Sequence, residues 1–159
     1  MSDIRKAADK DIPSVKAIWE ESVRATHHFL TEDEISFYKN LLPEYLRHVD
    51  LHVLDRDGTI DGFSGIAGRK LEMLFVTKRG SGSGSKLLGH AISLGVTEVD
   101  VNEENTRATK FYQDRGFIQV GCSENDNEGK PHPILHLALT GESRRQTSPG
   151  QAGPDNANR

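Results

Sequence analysis

Cysteine is nearly absent. The one copy, Cys122, cannot close an intrachain disulfide, and a single thiol argues against a thiolate metal cluster. No apolar run reaches the length of about 18 residues that a membrane-spanning helix needs. The first residues, MSDIRKAADKD, are charged throughout and lack the apolar centre of a secretory signal. An excess of positive charge is missing too: a net charge of −4 supplies no basic face for neutralising nucleic-acid phosphates. These absences describe a chain expected in the reducing cytoplasm, with no membrane or nucleic-acid partner and no metal. No internal repeat is present. At 159 residues the chain is long enough for one domain burying roughly two-thirds of its unfolded surface.

Two familiar phosphate motifs are also incomplete. No GK[ST] closes the glycine-rich stretch around residues 80–85, so a Walker loop is excluded. Lys86 stands near where a dinucleotide fingerprint needs its third glycine, and no convincing acidic ribose ligand follows. What remains is a strand, LEMLFV, running through RGSGSGS into the amphipathic KLLGHAISL. Composition alone would read GSGSGS as a flexible linker. Its flanks decide otherwise, because both are core elements of one small domain. A glycine turn at a helix start suits an anion such as a pyrophosphate. Downstream, VDVNEENTRATKFYQDRGF reads as a strand and a helix that carries the Phe111-Tyr112 pair and ends at Gly116 in a left-handed turn.

The rest of the chain reads as alternating elements. Residues 3–7 suit a short strand, followed by a helix with Pro13 in its first turn and Asp9 or Asp11 as cap. A second helix is expected from Glu32 to Arg47, with a break at Pro43. LHVLDRDGTIDGFSGIAG has the pattern of a hairpin turning at Asp57-Gly58, and KLEMLFVT continues the meander. Helices at 82–95 and 105–115 alternate with a strand at 97–102, and strands at 117–123 and 132–139 flank a polar loop. Strand-helix alternation implies a parallel pair, and the meander antiparallel pairs, so the sheet is mixed. Acidic clusters at Glu98, Asp100, Glu103 and Glu104, and at Glu124, Asp126 and Glu128, read first as solvated faces and second as attraction for a cationic amine. From residue 141 onward no large apolar side chain remains, so residues 1–140 form the domain and 141–159 a disordered tail. Deleting residues 141–159 is therefore expected to leave the melting temperature unchanged, and a large drop would mean that the tail packs.

These residues resemble a known family. LFV followed by RGSGSGSKLL is similar to the acyl-coenzyme A signature of the GNAT superfamily of N-acetyltransferases, and VNEENTRATKFYQDRGF to its N-x-x-A-x-x-F-Y-x-x-x-G-F segment. ATHHFLTEDEI and GKPHPILHLAL look like the small bacterial subgroup typified by YjaB. The lead-in Thr77-Lys78 is shorter than the family's usual one. The resemblance implies an α/β (α+β) fold: a mixed, mostly antiparallel sheet of about seven strands with a splayed parallel pair, flanked by about four helices. It also implies transfer of an acetyl group from acetyl-coenzyme A to a primary amine of a small molecule or peptide, by direct attack, in a possible homodimer. A second reading is an acyl-coenzyme A-binding module that has lost turnover and acts as a sensor or partner.

By that resemblance, Arg79, Gly80, Gly82, Gly84 and Ser85 hold the pyrophosphate, and backbone groups of Phe75 and Val76 hold the pantetheine arm and thioester oxygen. Tyr112 protonates the leaving thiolate; otherwise it is a core aromatic. Glu72 assists amine deprotonation; otherwise it is a solvent-facing strand residue. His27, His28 and Phe29 line the acceptor pocket; otherwise the histidines are loop residues. Asn105 is a cofactor-binding candidate and otherwise the N-cap of the Tyr112 helix, and Asn102, at the end of its strand, bonds the pantetheine or bridges the gap in the splayed pair.

Overall fold

The computed structural model describes residues 2–77 and 82–139. Among these residues seven strands form one sheet in the order β1 (Ser2–Lys6), β2 (Asp50–Arg56), β3 (Thr59–Ala67), β4 (Lys70–Val76), β5 (Glu98–Asn102), β7 (Ile134–Leu139), β6 (Phe117–Ser123). Every neighbouring pair is antiparallel except β4 and β5. Four α-helices among the described residues accompany the sheet: α1 (Ile12–Thr26), α2 (Glu32–Arg47), α3 (Ser83–Ser93) and α4 (Thr106–Gln113). The expected mixed sheet with one parallel pair is thus present.

Each helix buries one stripe, and the sheet divides the core in two. On one face Val15, Ile18, Trp19, Ile35 and Leu42 from α1 and α2 meet Val53, Phe63 and Phe75. On the other, Leu87, Leu88 and Ala91 of α3 and Phe111 and Tyr112 of α4 meet Leu74, Val99, Val101 and Leu137. Burying each large side chain contributes about 1.5–3 kcal/mol, so neither face is dispensable.

Local details follow the residues. The β2–β3 hairpin turns at Asp57 and Gly58, both with positive φ (53° and 93°), as a two-residue turn requires. Gly116 has φ 94° after α4, as expected for a helix stop. Asp11 occupies the cap position of α1, yet its carboxylate takes the Ala8 N–H and the Arg5 guanidinium instead of the helix amides. The expected break at Pro43 does not occur, since α2 runs through it. Leu42 and Leu46 are buried on either side of the proline, and their packing holds the last turn despite one lost hydrogen bond. The helix starts with a capping box between Thr31 and Glu34.

Three bulges interrupt the ladders. Asp61 is the extra residue of β3, Glu72 of β4 and Val120 of β6. Among the described residues β6 has a strand neighbour on one side only. Its Ile118 and Val120 are 48% and 64% exposed. No described helix is long and apolar enough to cross a membrane.

Candidate active site

The parallel pairing of β4 and β5 covers only Lys70↔Glu98 and Leu71↔Val99. Beyond Leu71 the two strands share no further register, and the sheet opens between them. The bulge at Glu72 falls at that point. A bulged residue leaves strict alternation, so Glu72, Met73 and Phe75 all face the α1–α2 side while Leu74 and Val76 face α3.

A cavity of about 220 Å³ lies on the α1–α2 side of the opening. Trp19, Val23, Leu42, Met73 and Phe75 form its apolar wall, and Glu72, His27, Asn102 and His132 its polar one. Tyr38 and Tyr45 of α2 reach across its mouth to Asp126 and Glu128 in the β6–β7 loop, each phenol donating to a carboxylate. The other oxygen of Asp126 accepts the Glu128 and Lys130 N–H groups, so this one side chain both shapes the loop and faces the cavity. Burial and the Asp126 carboxylate keep the Tyr38 phenol well above its usual range. The acidic runs are therefore only partly solvated. Glu98, Glu103 and Glu124 are exposed as expected, whereas Asp126, Glu128, Glu104 and Asp100 are engaged. No periodicity in the loop residues marks where they fold.

His132, from the Pro-His-Pro of that loop, is a cavity residue absent from the sequence-based set. Its Nε2 meets Glu34 Oε2 of α2 at 2.6 Å and its Nδ1 meets Glu104 Oε1 at 3.1 Å. Burial alone would lower its pKa, but hydrogen bonds and charge from Glu34 and Glu104 outweigh that and raise it. Burial likewise pushes Glu34 up, and His132 with the Thr31 amide more than reverses this. A histidine with a raised folded pKa stabilises fully below its unfolded value and loses that contribution as pH climbs through the folded one. For Glu34, lowered on folding, the contribution fades as pH falls through its folded value. His132→Gln is therefore expected to lower the melting temperature more at about pH 5.5 than at about pH 9. An equal loss at both would show that the imidazole carries no charge there.

The other candidates separate. His27 is buried in the cavity wall, its Nδ1 2.7 Å from Thr26 Oγ1, and the Phe29 ring sits between the rings of His27 and His132. His28 is exposed and lines a shallow depression with Phe29 and Asn105 instead. Asn105 caps α4, its Oδ1 accepting the Ala108 N–H at 3.1 Å. Asn102 ends β5 in the cavity wall.

On the opposite face, α3 begins after Gly82, which has φ 85° and, among the described residues, nothing within 4 Å of where a Cβ would stand. Gly84 and Ser85 lie in its first turn and are buried. Arg79 and Gly80 lie outside the described residues. Two guanidinium groups that the sequence did not single out reach this turn. Arg115 donates to Ser85 Oγ at 2.9 Å while stacking on Phe111, and Arg56 approaches Ser83 Oγ at 3.4 Å while bonded to Asp61 at 2.6 Å. The Asp61 bulge also anchors the end of β4, its carbonyl accepting the N–H and hydroxyl of Thr77. From α1, Ser22 donates to the Val76 carbonyl.

Tyr112 lies wholly within the α3–α4 core, 0% exposed, with edge contacts to Phe111 and Phe117. It does not line the cavity. Its hydroxyl has no hydrogen-bond partner among the described residues. Burial raises its pKa far above the usual phenol range, with only slight relief from Arg115, so it stays protonated. An unsatisfied buried hydroxyl costs about 1–3 kcal/mol.

Residues 15–133 match the Acetyltransferase (GNAT) domain family. The chain is 38% identical over 143 residues to the peptidyl-lysine N-acetyltransferase YjaB of Salmonella typhimurium, covering 86% of this chain and 97% of that one. It superposes on the solution structure of apo-form YjaB from Escherichia coli with a TM-score of 0.81 at 34% identity, over 89% and 99% of the two chains. Against the PaiA N-acetyltransferase of Thermoplasma acidophilum, solved with coenzyme A, the TM-score is 0.67 at 21% identity, over 87% and 99% of the chains, a likeness of fold.

Proposed function

The chain belongs to the acetyltransferase (GNAT) family, and from that premise we propose that it acetylates peptidyl lysine with acetyl-coenzyme A. The observation that carries the lysine assignment is the cavity. Its apolar wall of Trp19, Leu42 and Phe75 suits a four-carbon stem, and Glu72, Asp126 and Glu128 suit the cationic head. The names of the related enzymes point the same way.

Each residue then has a task. A lysine amine with a pKa of about 10.4 is almost wholly protonated at neutral pH and must lose a proton before attack. Glu72, at the inner end of the cavity beside the β4–β5 opening, accepts that proton directly or through water. Acetyl-coenzyme A supplies the thioester. Its diphosphate fits the start of α3, where the helix dipole and the amides of Gly82, Gly84 and Ser85, with Arg79 and Gly80, favour negative charge. The left-handed Gly82 and, among the described residues, the open space beside it support that fit. Backbone groups of Phe75 and Val76 border the opening and orient the acyl arm. Tyr112, protonated and unpartnered among the described residues, donates to the departing sulfur. His27 bounds the acceptor side, Phe29 packs against the rings of His27 and His132, and Phe29, His28 and Asn105 do not line the cavity.

The test is thiol release from acetyl-coenzyme A with a lysine peptide, compared with its Nε-acetylated form. Glu72→Gln is expected to lower kcat by about 10²-fold with little change in coenzyme A affinity. Coenzyme A binding without any lysine-dependent release would sink the transferase assignment and leave a binding module. Release with small amines alone would overturn the peptide assignment.

A further inference from the structure

Outside the cavity, a row of polar side chains crosses the sheet. Asp100 on β5 is directly opposite His136 on β7, which is opposite Gly121 on β6. Ser123, two residues beyond Gly121, points to the same face on the diagonal. The bulge at Val120 sets this phase. Asp100 Oδ1 lies 2.7 Å from His136 Nδ1, and His136 Nε2 lies 2.7 Å from Ser123 Oγ. Lys70 Nζ holds the other Asp100 oxygen at 3.2 Å.

A carboxylate can only accept, so in the neutral imidazole Nδ1 carries the hydrogen toward Asp100. Nε2 is then left as an acceptor for the Ser123 hydroxyl. The Asp100 side chain is 7% exposed and that of His136 34% exposed. The acid is thus shielded while base and hydroxyl meet solvent, the order of burial a serine nucleophile needs. Gly121 lies directly beside the imidazole, where a Cβ would make an ordinary contact of 3.5 Å with His136 Cδ2.

We propose that Ser123, His136 and Asp100 form a nucleophilic serine site that hydrolyses small activated carboxylic esters. Ser123 Oγ attacks the ester carbonyl carbon as its proton passes to His136 Nε2. The carbonyl–alkoxy bond then breaks, and His136 returns the proton to the departing alkoxide, leaving O-acyl-Ser123. Water attacks the acyl carbon and gives its proton to His136. The Ser123 oxygen leaves and takes that proton back. The sum is ester plus water giving acid plus alcohol. Asp100 is a positioning residue that fixes the imidazole tautomer, and Lys70 fixes Asp100. The site does not depend on the acetyl-transfer reading, although Asn102 and Ile134, two residues along the same strands, line the acceptor cavity.

The test treats the full-length protein with a fluorophosphonate probe, maps the label by peptide mass spectrometry, and follows p-nitrophenyl acetate hydrolysis without coenzyme A or amine. The label is expected on Ser123, with Ser123→Ala abolishing both label and hydrolysis. His136→Gln should slow both by about 10²-fold or more. Cys122→Ser should leave both unchanged, since Cys122 is an exposed neighbouring thiol. Lysine-peptide acetylation in Ser123→Ala should match the parent, which separates this site from the first. An unlabelled Ser123 in the parent protein overturns the proposal whether or not the variants fold. So do hydrolysis lost with Cys122→Ser and labelling that His136→Gln does not slow.

Discussion

Gly82→Asp is expected to abolish acetyl-coenzyme A binding while leaving the fold in place. Among the described residues nothing lies within 4 Å of where the new Cβ would stand, so crowding by them is not the cause. Two other effects act. A non-glycine residue at φ 85° bears a conformational cost of roughly 1 kcal/mol, modest because aspartate tolerates the left-handed region better than most. The larger effect is charge, since a carboxylate about 4 Å from a diphosphate in a partly screened site costs up to ~4 kcal/mol. The charge effect predicts a rise in dissociation constant of up to about 10³-fold by calorimetry, while the backbone cost falls on the folded chain with or without ligand. Gly82→Ala, which carries the backbone cost alone, should show a rise of less than about tenfold. Aspartate is itself a good N-cap, so the melting temperature of the ligand-free protein should hold. An unchanged dissociation constant in Gly82→Asp would remove the diphosphate from the start of α3.

Tyr112→Phe should separate stability from turnover in opposite directions. The hydroxyl is buried and has no partner among the described residues, so removing it relieves an unsatisfied polar group while the ring still fills the space between Phe111 and Phe117. The ligand-free variant is expected to be as stable as the parent or more so, by up to about 1 kcal/mol. Loss of the proton donor should lower kcat by about 10²-fold, with the Michaelis constant for acetyl-coenzyme A nearly unchanged. A destabilised variant would mean that the hydroxyl already has a structural partner. Undiminished turnover would leave Tyr112 as a core aromatic and nothing more.

The fold was legible because its signals are local and periodic. The Asp57-Gly58 turn, the helical spacing of Val15, Ile18 and Trp19, and the glycine stop at Gly116 each specify backbone geometry over a few residues. The acceptor cavity was less legible because bulges and loop folding have no such period. Simple alternation along LEMLFV would put Glu72 on the same face as Leu74 and Val76, and only the bulge turns it toward Met73 and Phe75. Pro43 misled because its local penalty is outweighed by tertiary burial of its neighbours. Tyr38 and Tyr45, seven apart on α2, do share a helical face, yet their carboxylate partners come from the far end of the chain. His132 meets Glu34 across 98 positions. Arg115, beside the Tyr112 motif, reads as an ordinary helix-end cation until α3 brings Ser85 to it.

The outermost strand has a consequence for self-association. An open β margin ordinarily invites another copy to add on, hydrogen bond by hydrogen bond, until sheets grow into fibres. Val120 spoils that template, because an extra residue in mid-strand bends the row of donors and acceptors out of step with any straight newcomer. What this rim still offers a neighbour is apolar surface, since the side chains of Ile118 and Val120 stand largely open to solvent.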